Sequence, residues 1–580
     1  MNNQNLTGFP SIDKPWMKYY SEKAKNAKLP ECTIYKYLWD NNKDYLDNTA
    51  LNYYGRKISY GEMFANINKA AKAFYALGVR TGDIVVMTAV TTPETVYSFY
   101  GLNRLGAISN MVDPRTSEEG IMEYIKEVNA ECVLTIDAAL PKIKKAVMGT
   151  SVKKIIVVSP ADSLPQPKKA AFILSNKIKG TTPKLFNHCI CWKAFIEFGN
   201  NEKPVYSSYK KDSCCVIVHT GGTTGSPKGV MLSNENINVS AFQGFTCGFD
   251  FRREHSWLNI MPPFIAYGLC NGLHMPLFIG MEVVLIPAFD PSKYDRLLTK
   301  YKPNHIVGVP SHYGGLSASK KLSNADLSYL ITPIIGGDSI NVELEKDTNS
   351  FLNRHGCKTL ISKGYGMTEV CAAVTACSTN ACNKLGSVGI PLPLSTVSIF
   401  DTETRQELTL GQIGEVCMNT PNTMLGYYKR TKETDEILMV HEDGMIWVHS
   451  GDLGYIDEDG CLFIEGRLKR MIIRYDGFKV FPLHIEKTVI KCNNIISCCV
   501  VGIKDPDHIQ GKLPKVYSVL KDKSADKGKI KAELELLCRR ELPEYAQPVD
   551  FAFIDELPLT PIGKVDYRAL EALAEKEHQS

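Results

Sequence analysis

Thr220-Gly221-Gly222-Thr223-Thr224-Gly225-Ser226-Pro227-Lys228-Gly229 follows an apolar run from Cys214 to Val218 and gathers three kinds of anion-binding group into one short stretch. Its glycines let the backbone take positive φ and turn N–H groups toward an anion. Hydroxyls of Thr220, Thr223, Thr224 and Ser226 add donors, and Lys228 adds a positive charge. The stretch reads as a phosphate cradle. It differs from the nucleotide loop G-x-x-x-x-G-K-[ST], because Pro227 precedes the lysine and Gly229 follows it, leaving no hydroxyl where that pattern holds magnesium. Gly229 to Leu232 then reads as a second short strand rather than a helix.

Five further stretches bear chemistry: Gly336-Gly337-Asp338, Gly364-Tyr365-Gly366-Met367-Thr368-Glu369, His449-Ser450-Gly451-Asp452, Gly466-Arg467-Leu468-Lys469, and Leu557-Pro558-Leu559-Thr560-Pro561-Ile562-Gly563-Lys564. An aromatic face suits a purine, and Mg²⁺ takes one or two carboxylates beside phosphate oxygens. Together with the cradle, and in this order, they resemble the acyl-adenylate-forming enzymes, the superfamily of acyl-CoA synthetases, peptide-synthetase adenylation domains and luciferases. The resemblance covers most of the chain. It implies ATP as a substrate, with Thr220 to Gly225 and Lys228 around the phosphates. Gly337, Asp338, Tyr365 and Gly366 would then hold the adenine, Asp452 the ribose hydroxyls, and Arg467 the nucleotide from the domain boundary. Glu369 would help hold Mg²⁺, with Thr368 beside it among the catalytic residues.

Attack of a carboxylate on the α-phosphate brings two anions together, so a cation must bridge them, and the resemblance assigns that role to Lys564. Two half-reactions are implied: acid and ATP give an acyl-adenylate and pyrophosphate, then the thiol of CoA takes the acyl group and releases AMP. Between them the small domain would rotate about Lys469, replacing the lysine loop with a hairpin around Gly477 and Phe478. The acid pocket would be lined by Ile265, Ala266, Tyr267 and Gly268, by residues 336–340, and by residues 370–374, including Val370 and Ala372. These side chains are neutral, and burying an unpaired ammonium is costly, so an acid without an α-amino group is expected. Ile265 stands where such ligases commonly carry histidine, and the hairpin after Arg467 is one residue longer than usual. Two other readings stay open: a free-standing adenylating enzyme that loads an acyl-carrier protein, and a non-catalytic sensor of nucleotides or acyl-adenylates.

The elements that must position these groups follow from periodicity. Ser59 and Glu62 form a capping box before Phe64, Ile67, Ala71 and Phe74 recur at helical spacing. Ile84 to Met87 reads as a strand, Thr92-Pro93 opens a helix ended by Gly106, and apolar runs at 107–111, 283–287, 305–310, 331–335 and 358–361 continue the strand pattern. The expected fold is α/β: a large N-terminal domain, residues 1–468, of mostly parallel sheets flanked by helices, and a small mobile α+β C-terminal domain, residues 469–580. In the latter, hairpin, helix from Pro482, strands at 498–503, 516–520 and 550–554 and a helix over 524–541 are expected.

Composition excludes other classes. Lys+Arg 67 against Asp+Glu 63 leaves a net charge of +4, with no basic stripe suited to nucleic acid. The 18 cysteines include no C-x-x-C pair, and the adjacent pairs Cys214-Cys215 and Cys498-Cys499 read as buried small hydrophobes. A reducing cytoplasmic setting fits. Met1 to Lys14 carries no apolar signal core, and the charge-poor stretch 257–281 is punctuated by Pro and Gly, so it reads as buried loop, helix and strand rather than a membrane span. Residues 141–204, rich in lysine, could touch an anionic membrane surface or a large acidic substrate, but read rather as a solvated surface insertion, since no strongly amphipathic helix spans them.

Overall fold

Val85, Val86 and Met87 are consecutive in one strand yet belong to two cores. Val85 and Met87 join the largest cluster, and Val86 packs on the opposite face with Val133, Ile155, Ile217 and helix residues Ile121 and Ile125. Successive side chains alternate across a sheet, so a strand apolar at every position must be covered on both faces. In the computed structural model, which describes residues 6–181, 183–203, 206–220, 227–338, 340–508, 511–559 and 565–579, this strand lies inside an eight-stranded sheet. Its order is Gly426–Tyr427, Gly229–Ser233, Cys214–His219, Ile108–Met111, Ile84–Thr88, Cys132–Ile136, Lys154–Val158, Cys189–Cys191. The pairing is parallel from Cys214–His219 onward and antiparallel before it.

A nine-stranded sheet stands opposite. From Ser362–Tyr365 through Thr332–Ile335, His305–Gly308, Ser256–Asn259 and Glu282–Leu285 to Thr49–Tyr53 it is parallel, and antiparallel strands close both ends. Helix Pro93–Leu105 belongs to the core that both sheets share, and all 13 of its residues are buried. Buried on every side, it must answer its polar groups from within: Asn103 donates to Asn234 Oδ1 and Arg104 lies over the Tyr35 ring. Its Tyr100 hydroxyl meets His274 Nδ1 at 3.0 Å, while His274 Nε2 meets Asn238 Oδ1 at 3.2 Å. Burial pushes His274 down to about 3, so the ring is neutral, accepts from Tyr100 and donates to Asn238. The one charge the sequence allowed in residues 257–281 is therefore absent. That stretch is a strand at Ser256–Asn259, a π-helix at Tyr267–His274 and a short helix at Met275–Ile279, and among the described residues no helix is long and apolar enough to cross a membrane.

Several local expectations meet their elements. Ser59 caps Tyr60–Ala76 by accepting from Glu62 N, though the Glu62 carboxylate turns to Arg56 at 2.6 Å instead of back to the cap. Thr92 caps Pro93–Leu105, and Gly106 closes it at φ +71°. Cys215 joins the central core while Cys214 packs on the other face, and Cys498 and Cys499 divide in the same way between two clusters. The run 358–361 is a correction: the strand is Ser362–Tyr365, because Thr359 Oγ1 donates to Ile331 O and Ile361 N to the Asn349 side chain, drawing that run off the ladder. Residues 141–204 are another. They contribute two strands of the eight-stranded sheet, with Ile155 to Val158 buried, as well as the exposed helix Gln166–Ile178.

A third, antiparallel five-stranded sheet contains Thr396–Phe400, Gly414–Asn419, Leu438–Val440, Ile446–Ile456 and Leu462–Arg467. Beyond it, Ile495–Lys504, Lys512–Leu520 and Asp550–Phe553 form a sheet covered on one face by helices Pro482–Val489 and Lys527–Glu541, and on the other by Tyr567–Gln579. The hairpin pairs Ile472–Ile473 with Lys479–Val480.

One buried acid makes the fold pH-sensitive. Glu94, 1% exposed in the first turn of Pro93–Leu105, accepts from Ser163 Oγ at 2.5 Å, and burial pushes it from 4.5 up to about 7. The folded chain thus binds this proton more tightly than the unfolded one; the stabilisation is full below 4.5 and is lost as pH rises through 7. Glu94→Gln keeps the protonated shape without ionising. It is expected to be more stable than wild type at pH 8 by up to about 3 kcal/mol, with the two converging toward pH 4.5, as read by urea unfolding across pH.

Candidate active site

Strand Cys214–His219 delivers the phosphate cradle and Gly229–Ser233 takes the chain away from it. Thr220 N donates to Lys228 O, and Lys228 N donates to Thr220 Oγ1, both at 3.0 Å, so the loop's neck is closed by reciprocal bonds. Below the neck His219 is held neutral, its burial pushing it down to about 4, and its Nε2 donates to Asn110 Oδ1 at 2.7 Å. Gly221, Gly222, Thr223, Thr224, Gly225 and Ser226 lie outside the described residues, as do Ser339 and Lys564.

Lys228 Nζ sits 4.5 Å from the centre of the Tyr427 ring, and the Tyr427 hydroxyl donates to Glu369 Oε1 at 2.5 Å. Glu369 is 5% exposed; burial raises its pKa, while the Tyr427 bond and the Lys228 and Arg467 charges oppose the rise. A hard cation with phosphate oxygens as its other ligands fits such a group: it would relieve a desolvated carboxylate at the cradle's edge. Thr368 opens the turn Thr368–Val370 that carries Glu369. Just before it the chain crosses itself, since a Cβ on Gly366 would stand 1.9 Å from the Ala372 carbonyl oxygen.

Tyr365, at the end of Ser362–Tyr365, donates its hydroxyl to Asp452 Oδ2 at 2.7 Å, and Arg467 Nε meets Asp452 Oδ1 at 2.8 Å. Burial and the neighbouring Asp452 push the Tyr365 phenol well up, so it stays a donor. Asp452 and Arg467 are register partners on adjacent strands. Three segments distant in sequence thus meet at one carboxylate. The Asp452 backbone is fixed in turn: its N–H donates to Ser450 Oγ, Ser450 Oγ donates to Val416 O, and Gly451 N donates to Glu415 Oε1 at 2.9 Å. Glu415 Oε2 accepts from His449 Nδ1 at 2.9 Å. Among the described residues Glu415, Cys417 and His449 form a group of metal-ligand types, but the carboxylate and imidazole are already engaged with each other and burial pushes the Cys417 thiol well up, away from a ligating thiolate.

Gly337, at φ +80°, and exposed Asp338 follow strand Thr332–Ile335 toward the same edge. Tyr267 lies against Gly336 and Gly337, at 3.5 and 3.9 Å from a Cβ placed on each. Ile265, Ala266 and Ala372 pack into the same cluster as Tyr267. Gly268 is demanded by backbone approach, as its Cβ would stand 1.9 Å from the Pro262 carbonyl oxygen. Val370 is not brought to this wall; it packs with Val397, Ile399 and Val416 under the five-stranded sheet. Lys469 lies in the turn Leu468–Arg470, and Gly477, at φ +81°, tips a hairpin whose Phe478 is half-exposed and stacks on Tyr545 at 4.6 Å.

Tyr427 and Glu415 were missing from the sequence reading. Tyr427 lies in a two-residue strand without flanking periodicity, and Glu415 is the second residue of strand Gly414–Asn419, so neither stands in a motif. The only signal for Tyr427 was an aromatic pair after Gly426.

Two carboxylates, Asp452 and Glu369, and two cations, Lys228 and Arg467, are thus gathered beside the neck of the glycine-rich loop. The description of the AMP-binding enzymes matches residues 38–428, and that of their C-terminal domain residues 484–564. Long-chain-fatty-acid–CoA ligase of Bacillus subtilis is 30% identical over 97% of this chain and 99% of its own, and 4-coumarate–CoA ligase 2 of Nicotiana tabacum is 26% identical over 94% and 96%. ATP-bound MatB from Rhodopseudomonas palustris shares the fold at a TM-score of 0.80 with 22% identity, covering 94% of this chain and 99% of MatB; the anthranilate CoA ligase AuaEII bound to anthranoyl-AMP does so at 0.81 with 21%, covering 95% and 99%. The chain belongs to the AMP-binding enzymes, in their acyl-CoA synthetase branch.

The Glu415 brace carries a prediction. Glu415→Ala leaves Gly451 N–H and His449 Nδ1–H without their acceptor, and should destabilise the chain by about 1–3 kcal/mol while weakening ATP binding measured by calorimetry. Unchanged ATP affinity would separate the brace from the site.

Proposed function

We propose that the chain is an ATP-dependent, AMP-forming acid–CoA ligase. The observation that carries this reading is the meeting of Tyr365, Asp452 and Arg467 at one carboxylate beside the Lys228–Tyr427–Glu369 chain. Ribose hydroxyls suit the Asp452 carboxylate, whose present donors are a phenol and a guanidinium. The Tyr365 ring offers a purine its face, Lys228 and Arg467 supply positive charge for phosphates, and Thr368 and Glu369 edge the reacting centre. Mg²⁺ held by Glu369 would neutralise phosphate charge there. In the first half-reaction a carboxylate oxygen attacks the α-phosphorus and the bond to pyrophosphate breaks. In the second, the thiol of CoA gives up its proton, attacks the acyl carbon and expels AMP.

Lys564 is assigned to the first step, between the two anions. The ends of its loop support this: Leu559 bridges Val565, and Tyr567 lies 5.4 Å from the Arg470 guanidinium, three residues past Arg467. Between these arginines runs the hinge, with the domain boundary after Leu468. Arg467 is anchored on Asp452, whereas Arg470 donates to Glu486 and to Val500 O in the small domain. Rotation about Lys469 would exchange the lysine loop for the hairpin bearing Gly477 and Phe478. The neutral wall of Ile265, Ala266, Tyr267 and Ala372 favours an acid without an ammonium. Long-chain fatty acids and 4-coumarate, named for the relatives, both meet that condition. Their names also favour CoA over an acyl-carrier protein as thiol, and a reducing cytoplasm suits the free cysteines.

Pyrophosphate release with fatty, aryl and steroid-like acids, with and without CoA, tests the reading; thioester formed only with CoA is expected, and adenylate that CoA never captures would point to a carrier protein. Lys564→Ala should slow adenylation by about 10²–10³-fold and still convert supplied acyl-adenylate. Lys469→Pro, which fixes φ at the hinge, should retain adenylation and lose thioester formation; loss of both together would remove Lys469 from the hinge.

A further inference from the structure

Helix Gln166–Ile178 buries none of its 13 residues. Phe172, Ser175 and Asn176 turn partly toward the protein, and Lys168 and Lys169 tether it through the carbonyls of Tyr54 and Asp162. Its outward stripe is apolar. Ala170, Leu174 and Ile178 recur every four residues on one face, with Ile173 alongside; Leu174 is 58% and Ile178 76% exposed. Lys177 borders one side of that stripe and Lys179 the other, as 100° per residue requires. Past the helix end, Lys184 and exposed Leu185 repeat the pairing. Between Asp162 and Glu197 the chain holds six lysines and no acidic residue.

Two features constrain the occupant. The absence of acids means that a second copy laid on this face would bring lysine against lysine. A soluble polyanion would satisfy the lysines but leave Leu174 and Ile178 in water. An anionic bilayer meets both demands: its headgroups attract the lysine border, and its acyl boundary accepts the stripe of a helix about 20 Å long lying in the interface plane. We propose that Gln166–Ile178 docks this protein reversibly on anionic lipid bilayers. The proposal is independent of which acid the enzyme activates.

The full chain should co-sediment with phosphatidylglycerol–phosphatidylcholine vesicles, little with pure phosphatidylcholine, and be released by salt. Lys177→Gln with Lys179→Gln should lower the partition coefficient roughly 30-fold, about fivefold per charge. Leu174→Asp with Ile178→Asp should lower it by about tenfold or more. All four positions are exposed, so both variants should keep the wild-type melting temperature and pyrophosphate release with a water-soluble acid. Failure of the wild type to bind the anionic vesicles, equal binding to both vesicle kinds, or unchanged binding by either variant would overturn the proposal. So would concentration-dependent dimerisation abolished by the Leu174 and Ile178 changes, which would give the face to a second copy.

Discussion

Half of the site is referred to one carboxylate. Asp452 stands on the five-stranded sheet, accepts from a tyrosine that ends a strand of the nine-stranded sheet, and pairs with the arginine that ends the last strand before the small domain. A buried carboxylate is costly unless donors surround it. Those donors have to come from separate segments, so satisfying the charge fixes how two sheets and the entrance to a third body are set against each other. The outer support is arranged likewise: Glu415 takes Gly451 N and His449, so a second carboxylate positions the first.

The other half of the site balances burial against charge through a ring. Tyr427 presents its face to an ammonium and its hydroxyl to a carboxylate, so Lys228 and Glu369 share one residue without an intervening ion pair. Elsewhere burial works the opposite way on imidazoles. His219 and His274 are both pushed below the usual range and stay neutral, His219 donating to Asn110 and His274 linking Tyr100 to Asn238. The Tyr100–His274–Asn238 chain thus ties helix Pro93–Leu105 to its neighbours through uncharged bonds, while a buried ion pair persists between Lys363 and Glu345.

The large architecture was legible in the sequence where strands are continuous apolar runs, as at Ile84–Thr88, and where a helix carries a cap and a glycine stop, as Pro93–Leu105 does; Ser362–Tyr365, with a lysine and a glycine, offered no such run. The residues that the structure brings together were legible where a motif marks them: Lys228 at the end of the glycine-rich stretch, Glu369 after Gly366, Asp452 after Gly451. Tyr427 and Glu415 were not, because their partners are set by tertiary pairing of short or irregular strands and leave no spacing to read. Val370 followed the same limit; it is next to Glu369 in sequence, yet the tight turn sends it to the opposite core. The Gln166–Ile178 helix was hidden by its own composition, since lysines around an outward apolar stripe blur the pattern that an inward stripe would show.

The two backbone crossings beside Tyr267, Gly268 on Pro262 and Gly366 on Ala372, bear on how this protein can change over generations. Main chain pressed against main chain admits no side chain at either glycine, so substitution there threatens the fold before it alters preference. In the acid pocket proposed for this wall, heritable variation is channelled instead to neighbours whose backbone leaves the side chain free to grow or shrink, Ile265 foremost, since Ala372 is itself held at φ +87°. Innovation there is thus narrow in its routes.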